Sequence, residues 1–369
     1  MFDFLQGVGR RVGDWLGHGP NTSDAATAAP GEGPAVESQR PAGLFGRIGQ
    51  TVGDLGRGLS QEGLGGLLDP MGMLDRQQAQ RELSNRFQVV GPDFEGPRNH
   101  NQVSQEEYQE IARTYSNIRM GRGDFTMDTG DMAPEDAQQW RNGMMNSVAD
   151  MMMTTAGRRQ VMGISNNVLL GDDGKPRLDA DGNQIHRHTT MRPDIADDGT
   201  LVTDNAGVGV ANGMNDDDKF LRYDADGNVT GRGMGTDANL FINPNLQVDG
   251  CNRTDVILAH EMQHVQNRTQ GTMVRGTHDE ENGEGDAGTN RRERQAVGLP
   301  NNAPSGGHYP GDSDGCTENT YREQRNQINP NERLLPRTAY DAWLPGSAGT
   351  NQENEEAWRQ YHQNNPNAR

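Results

Sequence analysis

The chain has 369 residues, of which only 31% are hydrophobic and 5% aromatic; its 49 glycines add to the apolar fraction without supplying side chains that pack. Part of the chain therefore reads as long loops or disorder. The 34 Lys and Arg against 53 Asp and Glu give a net charge of −19, which repels nucleic-acid phosphates and anionic lipid; no apolar run of about 18 residues is present to cross a membrane, and the first twenty residues lack the apolar core of a cleaved secretory signal.

The first 85 residues read as a low-complexity region. Residues 8–14 (VGRRVGD) recur forty residues later as 48–54 (IGQTVGD), each copy preceded by a Phe/Leu pair. Between them lies a Pro/Ala/Gly/Ser-rich stretch that reads as a disordered linker. The repeat is either a short docking segment used in transport or a chance duplication in a glycine-rich tail.

From Gln77 the pattern is globular. SQEEYQEIARTYSNIRM predicts an amphipathic helix with Tyr108, Ile111, Tyr115 and Ile118 on one stripe. A second helix is predicted over Pro134 to Met153, with Pro in the first turn beside Glu135 and Asp136, a buried row of Trp140, Met144 and Val148, and Gly157 as its stop. The methionines at 144, 145 and 151–153 suit core filling. Residues 164–250 read as strands and turns. The DADGN segments at 179–183 and 224–228 have no acid at the twelfth position of a calcium loop, where Thr190 and Gly235 stand. Asp-Gly makes both hairpin turns. His186 and His188, just past the first, read as strand residues, with a metal role as the alternative. Cys251 and Cys316 exclude a disulfide scaffold and a Cys₄ zinc site; they read as free thiols, or as one disulfide in an oxidising compartment.

The chemistry concentrates in TDVILAHEMQHVQN, residues 254–267. Thr254 or Asp255 caps a predicted helix that buries Val256, Ile257, Leu258 and Val265. His260 and His264 stand four apart, on one face and one turn apart, so both imidazoles reach one tetrahedral ion at about 2.0–2.1 Å. Glu261 lies beside them, placed to take a proton from water. This is the H-E-x-x-H signature of zincins, and the strand-like Leu240–Ile242 before it is expected to form the edge of the cleft. The donor set suits zinc, at one ion per chain, and a third protein ligand is required. Asn267 and Gln270 exclude the metzincin pattern. Glu293, in the short helix NRRERQAVG, is the candidate third ligand; alternatively it closes a capping box with Asn290. Glu281, Glu284, Asp286 and His278 on the glycine-rich loop between are its rivals.

HEMQHVQN, then THDE, NRRERQAVGLP, Thr317-Glu-Asn-Thr-Tyr-Arg322 and Leu335-Pro-Arg-Thr-Ala-Tyr340 follow one another in the order of the NleD-like effector metalloproteases, bacterial virulence proteins injected into host cells. The chain resembles that family over residues 140 to 345, including Thr154 to Arg159. The resemblance implies a zinc endopeptidase acting on a host signalling protein, with some members cutting protein kinases. In Arg337-Thr-Ala-Tyr340 the chain is also similar to clostridial neurotoxin light chains, whose Arg-x-x-Tyr follows HExxH and a downstream Glu. That likeness implies that Arg337 and Tyr340 donate to the oxyanion; the plainer reading is a surface loop pair, or Arg337 paired with a buried acid such as Glu318.

The resulting expectation is an α+β, zincin-like metalloprotease domain over 86–345, preceded by a disordered delivery region over 1–85 that docks a secretion chaperone, and followed by a polar tail over 346–369. His260, His264 and Glu293 hold zinc, and Glu261, Tyr340 and Arg337 are catalytic. The protein is secreted and delivered into a host cell, cleaves a host protein, and needs neither nucleic acid nor membrane insertion. The rival expectation is a structural or interaction protein of a particle or secretion apparatus with a non-catalytic HExxH fold.

Overall fold

The computed structural model describes residues 70–337 except 212, 248–250, 252, 277–289, 300–315 and 332–333, with side chains from residue 77 onward. The N-terminal repeat, its linker, the C-terminal tail, Tyr340, His278, Glu281, Glu284 and Asp286 lie outside the described residues. The chain divides into two units, Met1–Gln78 and Ala79–Arg369. Helix α1 (Pro70–Leu83) crosses that division, and its Ala79 and Leu83 belong to the main core. These two residues stand four apart and so share one face of α1.

The fold mixes helices and strands. After the short parallel pair β1 (Gln88–Val89) and β2 (Gln102–Val103) comes α2 (Gln105–Arg119). Its N-terminus is a capping box: Ser104 Oγ accepts from Glu107 N, while Ser104 N donates to the Glu107 carboxylate. Ile111, Tyr115 and Ile118 are buried as the spacing predicts. Strand β3 (Phe125–Met127) follows, then α3 (Pro134–Met152). Gly157 does not end α3. Thr154 Oγ1 accepts from Gly157 N at 2.9 Å and caps a separate helix, α4 (Thr155–Ser165), so Gly157 sits in that helix's first turn. Met144, Met145, Met151 and Met152 are core residues.

Between α4 and the next long helix lie β4 (Thr189–Arg192), β5 (Gly207–Val210), a 3₁₀ turn (Asp216–Lys219), the hairpin β6 (Arg222–Tyr223) and β7 (Val229–Gly231), and β8 (Ala238–Phe241). Four Asp-Gly turns recur in this stretch, at residues 171–175, 179–183, 196–200 and 224–228. In each the first N–H donates to the fifth C=O, and the fourth residue is a glycine at φ of 73° or 84°. A side chain there meets the left-handed penalty, which is why Asp-Gly rather than Asp-X closes these turns.

The main sheet has the order β3-β4-β8-β5, parallel except for β5, which runs antiparallel at one edge. Met127, Met191, Leu240 and Val208 lie in register across the four strands. Strand β8 is therefore internal, paired on both sides, and the edge expected of Leu240–Ile242 belongs instead to β5. Helix α5 (Thr254–Gln270) packs on β8 and β5 and is enclosed by α3, α4, α6 (Arg291–Val297) and α7 (Glu318–Ile328). Trp140 on α3 fixes the end of β8, donating Nε1–H to Ile242 O at 3.1 Å and Asn243 Oδ1 at 3.0 Å.

Candidate metal centre and active site

Helix α5 is buried on all faces, His260, Glu261 and His264 included, so its polar side chains need internal partners. Its N-cap is Arg253, without a side-chain cap. Thr254 Oγ1 accepts instead from Leu246 N, and Asp255 is spent on anchoring. Asp255 takes both hydrogen bonds of the Arg253 fork at 2.9 Å and one from Tyr321 Oη at 2.5 Å. Burial alone would raise its pKa, but Arg253, the Tyr321 hydrogen bond and Arg325 hold it low. This carboxylate ties the start of α5 to α7.

One turn further along α5, His260 Nε2 and His264 Nε2 lie 3.1 Å apart. Glu293 Oε2, from α6, lies 2.9 Å from His264 Nε2 and 3.4 Å from His260 Nε2. Tetrahedral ligands at about 2.0–2.1 Å from an ion stand roughly 3.3–3.4 Å from one another. The triangle thus fits one ion with adjustments of a few tenths of an ångström. It is the metal-capable group of His, Cys, Asp and Glu side chains found among the described residues. Glu293 does not reach back to Asn290, which makes no side-chain cap bond; its other oxygen accepts from Arg292 Nε at 3.2 Å. Burial would raise the Glu293 pKa, yet the two imidazoles hold it well below the ordinary range. Burial likewise opposes charge on His260, but hydrogen bonds to Glu293 and Glu318 and the nearby Glu261 outweigh it and lift its pKa to about 10. Glu261, next to His260 and also buried, is pushed upward by desolvation against the pull of both imidazoles.

Two contacts set α6 so that Glu293 points at the histidines. The Gln295 side chain donates to Thr272 O and accepts from Val274 N, in the segment leaving α5. Gly298 then ends α6 at φ 87°, where an added Cβ would lie 2.4 Å from Thr317 Oγ1, the cap of α7. Gly298→Ala is expected to cost about 1–2 kcal/mol for the left-handed backbone and a further ~1–3 kcal/mol for the overlap. Urea unfolding measures this; a midpoint equal to that of the wild type would show that α6 and α7 do not abut there.

The sequence reading did not assign Glu318 to the site. From the first turn of α7 its Oε2 accepts from His260 Nδ1 at 2.9 Å, while Arg322 Nε donates to Oε1 at 2.7 Å. Burial is outweighed by Arg322 and Arg337, so this carboxyl stays far below the ordinary range. The visible signal was Glu318 four residues before Arg322, a spacing that usually marks a surface pair. Arg337 Nη1 stands 3.3 Å from Glu318 Oε2. His186 and His188 are not near this group; both Nδ1 atoms turn to the buried Asp124, at 2.6 and 3.3 Å. Cys251 and Cys316 are buried, and neither is in a disulfide among the described residues.

Among the described residues, no helix is long and apolar enough to cross a membrane. No curated protein matches the chain at a significant level. The profile of the peptidase M91 effector proteins matches residues 137–333, a span that starts in α3 and takes in strands β4, β5 and β8 of the main sheet, the two histidines and Glu261 of α5, Glu293 of α6 and Glu318 of α7. With more than half of its length inside that match, the chain belongs to the peptidase M91 effector family.

Proposed function

We propose that the chain is a zinc-dependent endopeptidase of zincin-like fold that acts as a secreted effector on a host protein. The observation that carries this reading is the triangle of His260, His264 and Glu293 donor atoms with Glu261 beside it on the same buried helix. A structural metal site has no use for that fourth group, whereas peptide hydrolysis needs a base there. In this reading His260 Nε2, His264 Nε2 and Glu293 Oε2 hold the ion. A bound zinc supplies Lewis acidity, polarising the scissile carbonyl and acidifying water. Glu261 accepts the proton of the attacking water on its carboxylate and delivers it to the leaving amine nitrogen. The Tyr340 phenol donates to the oxygen that becomes negative in the transition state. Strand β5 lies at one edge of the main sheet among the described residues and packs on α5; an extended substrate that pairs there competes with Arg268 and Asn239 for the Val208 and Val210 carbonyls. The acidic surface suits a basic target segment, which a signalling kinase can supply.

The test is digestion of a peptide library with the purified chain, reading new N-termini by mass spectrometry. Cleavage that stops on chelation and resumes with zinc is expected; a library left intact by the zinc-loaded chain contradicts the reading. Residues 1–69 serve delivery and chaperone docking rather than catalysis, since every site residue named above lies after residue 79. Deleting them is expected to leave cleavage close to that of the full chain in the same assay. A larger loss would give that region a part in the active domain.

A further inference from the structure

Residues 334–337 lie along α7 and end at the metal triangle's neighbour. Asn326 takes Leu334 with both halves of its amide, Oδ1 accepting from Leu334 N at 2.5 Å and Nδ2 donating to Leu334 O at 2.6 Å. Asn319 does the same for Arg337, accepting from its N at 2.7 Å and donating to its O at 2.8 Å. Between them Arg322 Nη1 donates to Leu335 O at 3.3 Å. Positions 319, 322 and 326 share one helix face, and each amide offers the donor and acceptor that a neighbouring strand would offer. Residues 334–337 are thereby fastened at both ends. The fastening brings a buried guanidinium to Glu318 Oε2, the same oxygen that accepts from His260 Nδ1.

We propose that Arg337 is a positioning residue: delivered by Asn319 and Asn326, it holds Glu318 where that carboxylate fixes the His260 imidazole for metal binding. Donation from Nδ1–H to Glu318 leaves the Nε2 lone pair facing Glu293 and His264, the tautomer a metal ligand requires. Among the described residues Arg322 grips the other oxygen, and without Arg337 the Oε2 side of Glu318 keeps His260 alone to orient it. This differs from an oxyanion donor, which touches substrate and leaves metal affinity alone. The inference rests on the metal-binding reading above.

The experiment is zinc competition against a chelator of known affinity, with thermal unfolding of the metal-free chain alongside, on the full-length protein. Arg337→Gln is expected to weaken zinc binding by about 10–100-fold, the usual effect of losing a partner behind a metal ligand. Arg337→Lys, which restores a cation, should recover part of that loss. Asn319→Ala should weaken zinc in the same direction although it removes no charge, and it decides the matter if Arg337→Gln fails to fold. In a Glu318→Gln background, Arg337→Gln should add nothing. Wild-type affinity in Arg337→Gln and Asn319→Ala overturns the proposal, whether kcat falls, as for an oxyanion donor, or only the melting temperature does. A wild-type chain that takes up no zinc overturns the metal reading and this inference together; a zinc-binding wild type with unaltered variants overturns this inference alone.

Discussion

Glu261→Gln is expected to lower kcat by about 10²–10⁴, the contribution of a positioned general base, while the variant keeps its full metal content. The change is nearly isosteric and removes only the ability to take up a proton. Glu261 neighbours His260 on α5 and is as buried as the two histidines, so a glutamine can occupy its place without opening the helix. Burial raises the Glu261 pKa, which makes the carboxylate a stronger base than a solvated one. Since proton transfer belongs to the transition state, kcat and kcat/KM should fall together with KM little changed. Steady-state kinetics on a cleaved peptide, with zinc measured on the same sample, checks this. A variant that cuts at near the wild-type rate removes Glu261 from the mechanism.

His264→Ala has the second large effect, on the metal itself. His264 Nε2 is the closest donor to both of the others, at 2.9 Å from Glu293 and 3.1 Å from His260. Four-ligand zinc sites bind with roughly 10–16 kcal/mol, or about 2.5–4 kcal/mol per ligand, so losing one costs ~10²–10³ in affinity. Glu293→Gln should move affinity in the same direction by a smaller factor, because a carboxamide oxygen carries no charge. Glu281→Gln, Glu284→Gln and Asp286→Asn should leave it unchanged. Were Glu293 only a helix cap, its loss would cost ~0.5–2 kcal/mol of stability and leave the metal in place. Zinc titration of the five variants separates these outcomes.

Local chemistry was legible in the sequence; three-dimensional neighbours were less so. The amphipathic period of α2 and the proline start of α3 were plain because each is written in a few adjacent residues. The break between α3 and α4 was not, since Thr154 as a cap competes with the simpler signal of Gly157 as a stop. Two of the four Asp-Gly turns were read. The others, DDGK and DDGT, lack the DADGN repetition that drew notice. Strand β3 spans three residues, too few to show a period. That β5 rather than β8 forms the edge depends on strand order, which only tertiary pairing decides. In the site, the i, i+4 histidines were evident from helix geometry, whereas Glu293 was one of several acids in the sequence; α6 sets its Oε2 2.9 Å from His264 Nε2, and its rivals lie outside the described residues. The pairing of Glu318 with Arg337 stood among the alternatives read from the sequence, whereas its contact with His260 was hidden because the two lie 58 residues apart in sequence.

The most direct test of the central claim is elemental analysis of the purified full-length chain, paired with its native mass. The account predicts about one zinc per chain, lost in His264→Ala and kept in Glu261→Gln. A wild-type chain holding no stoichiometric transition metal, and acquiring none when offered zinc, would contradict it.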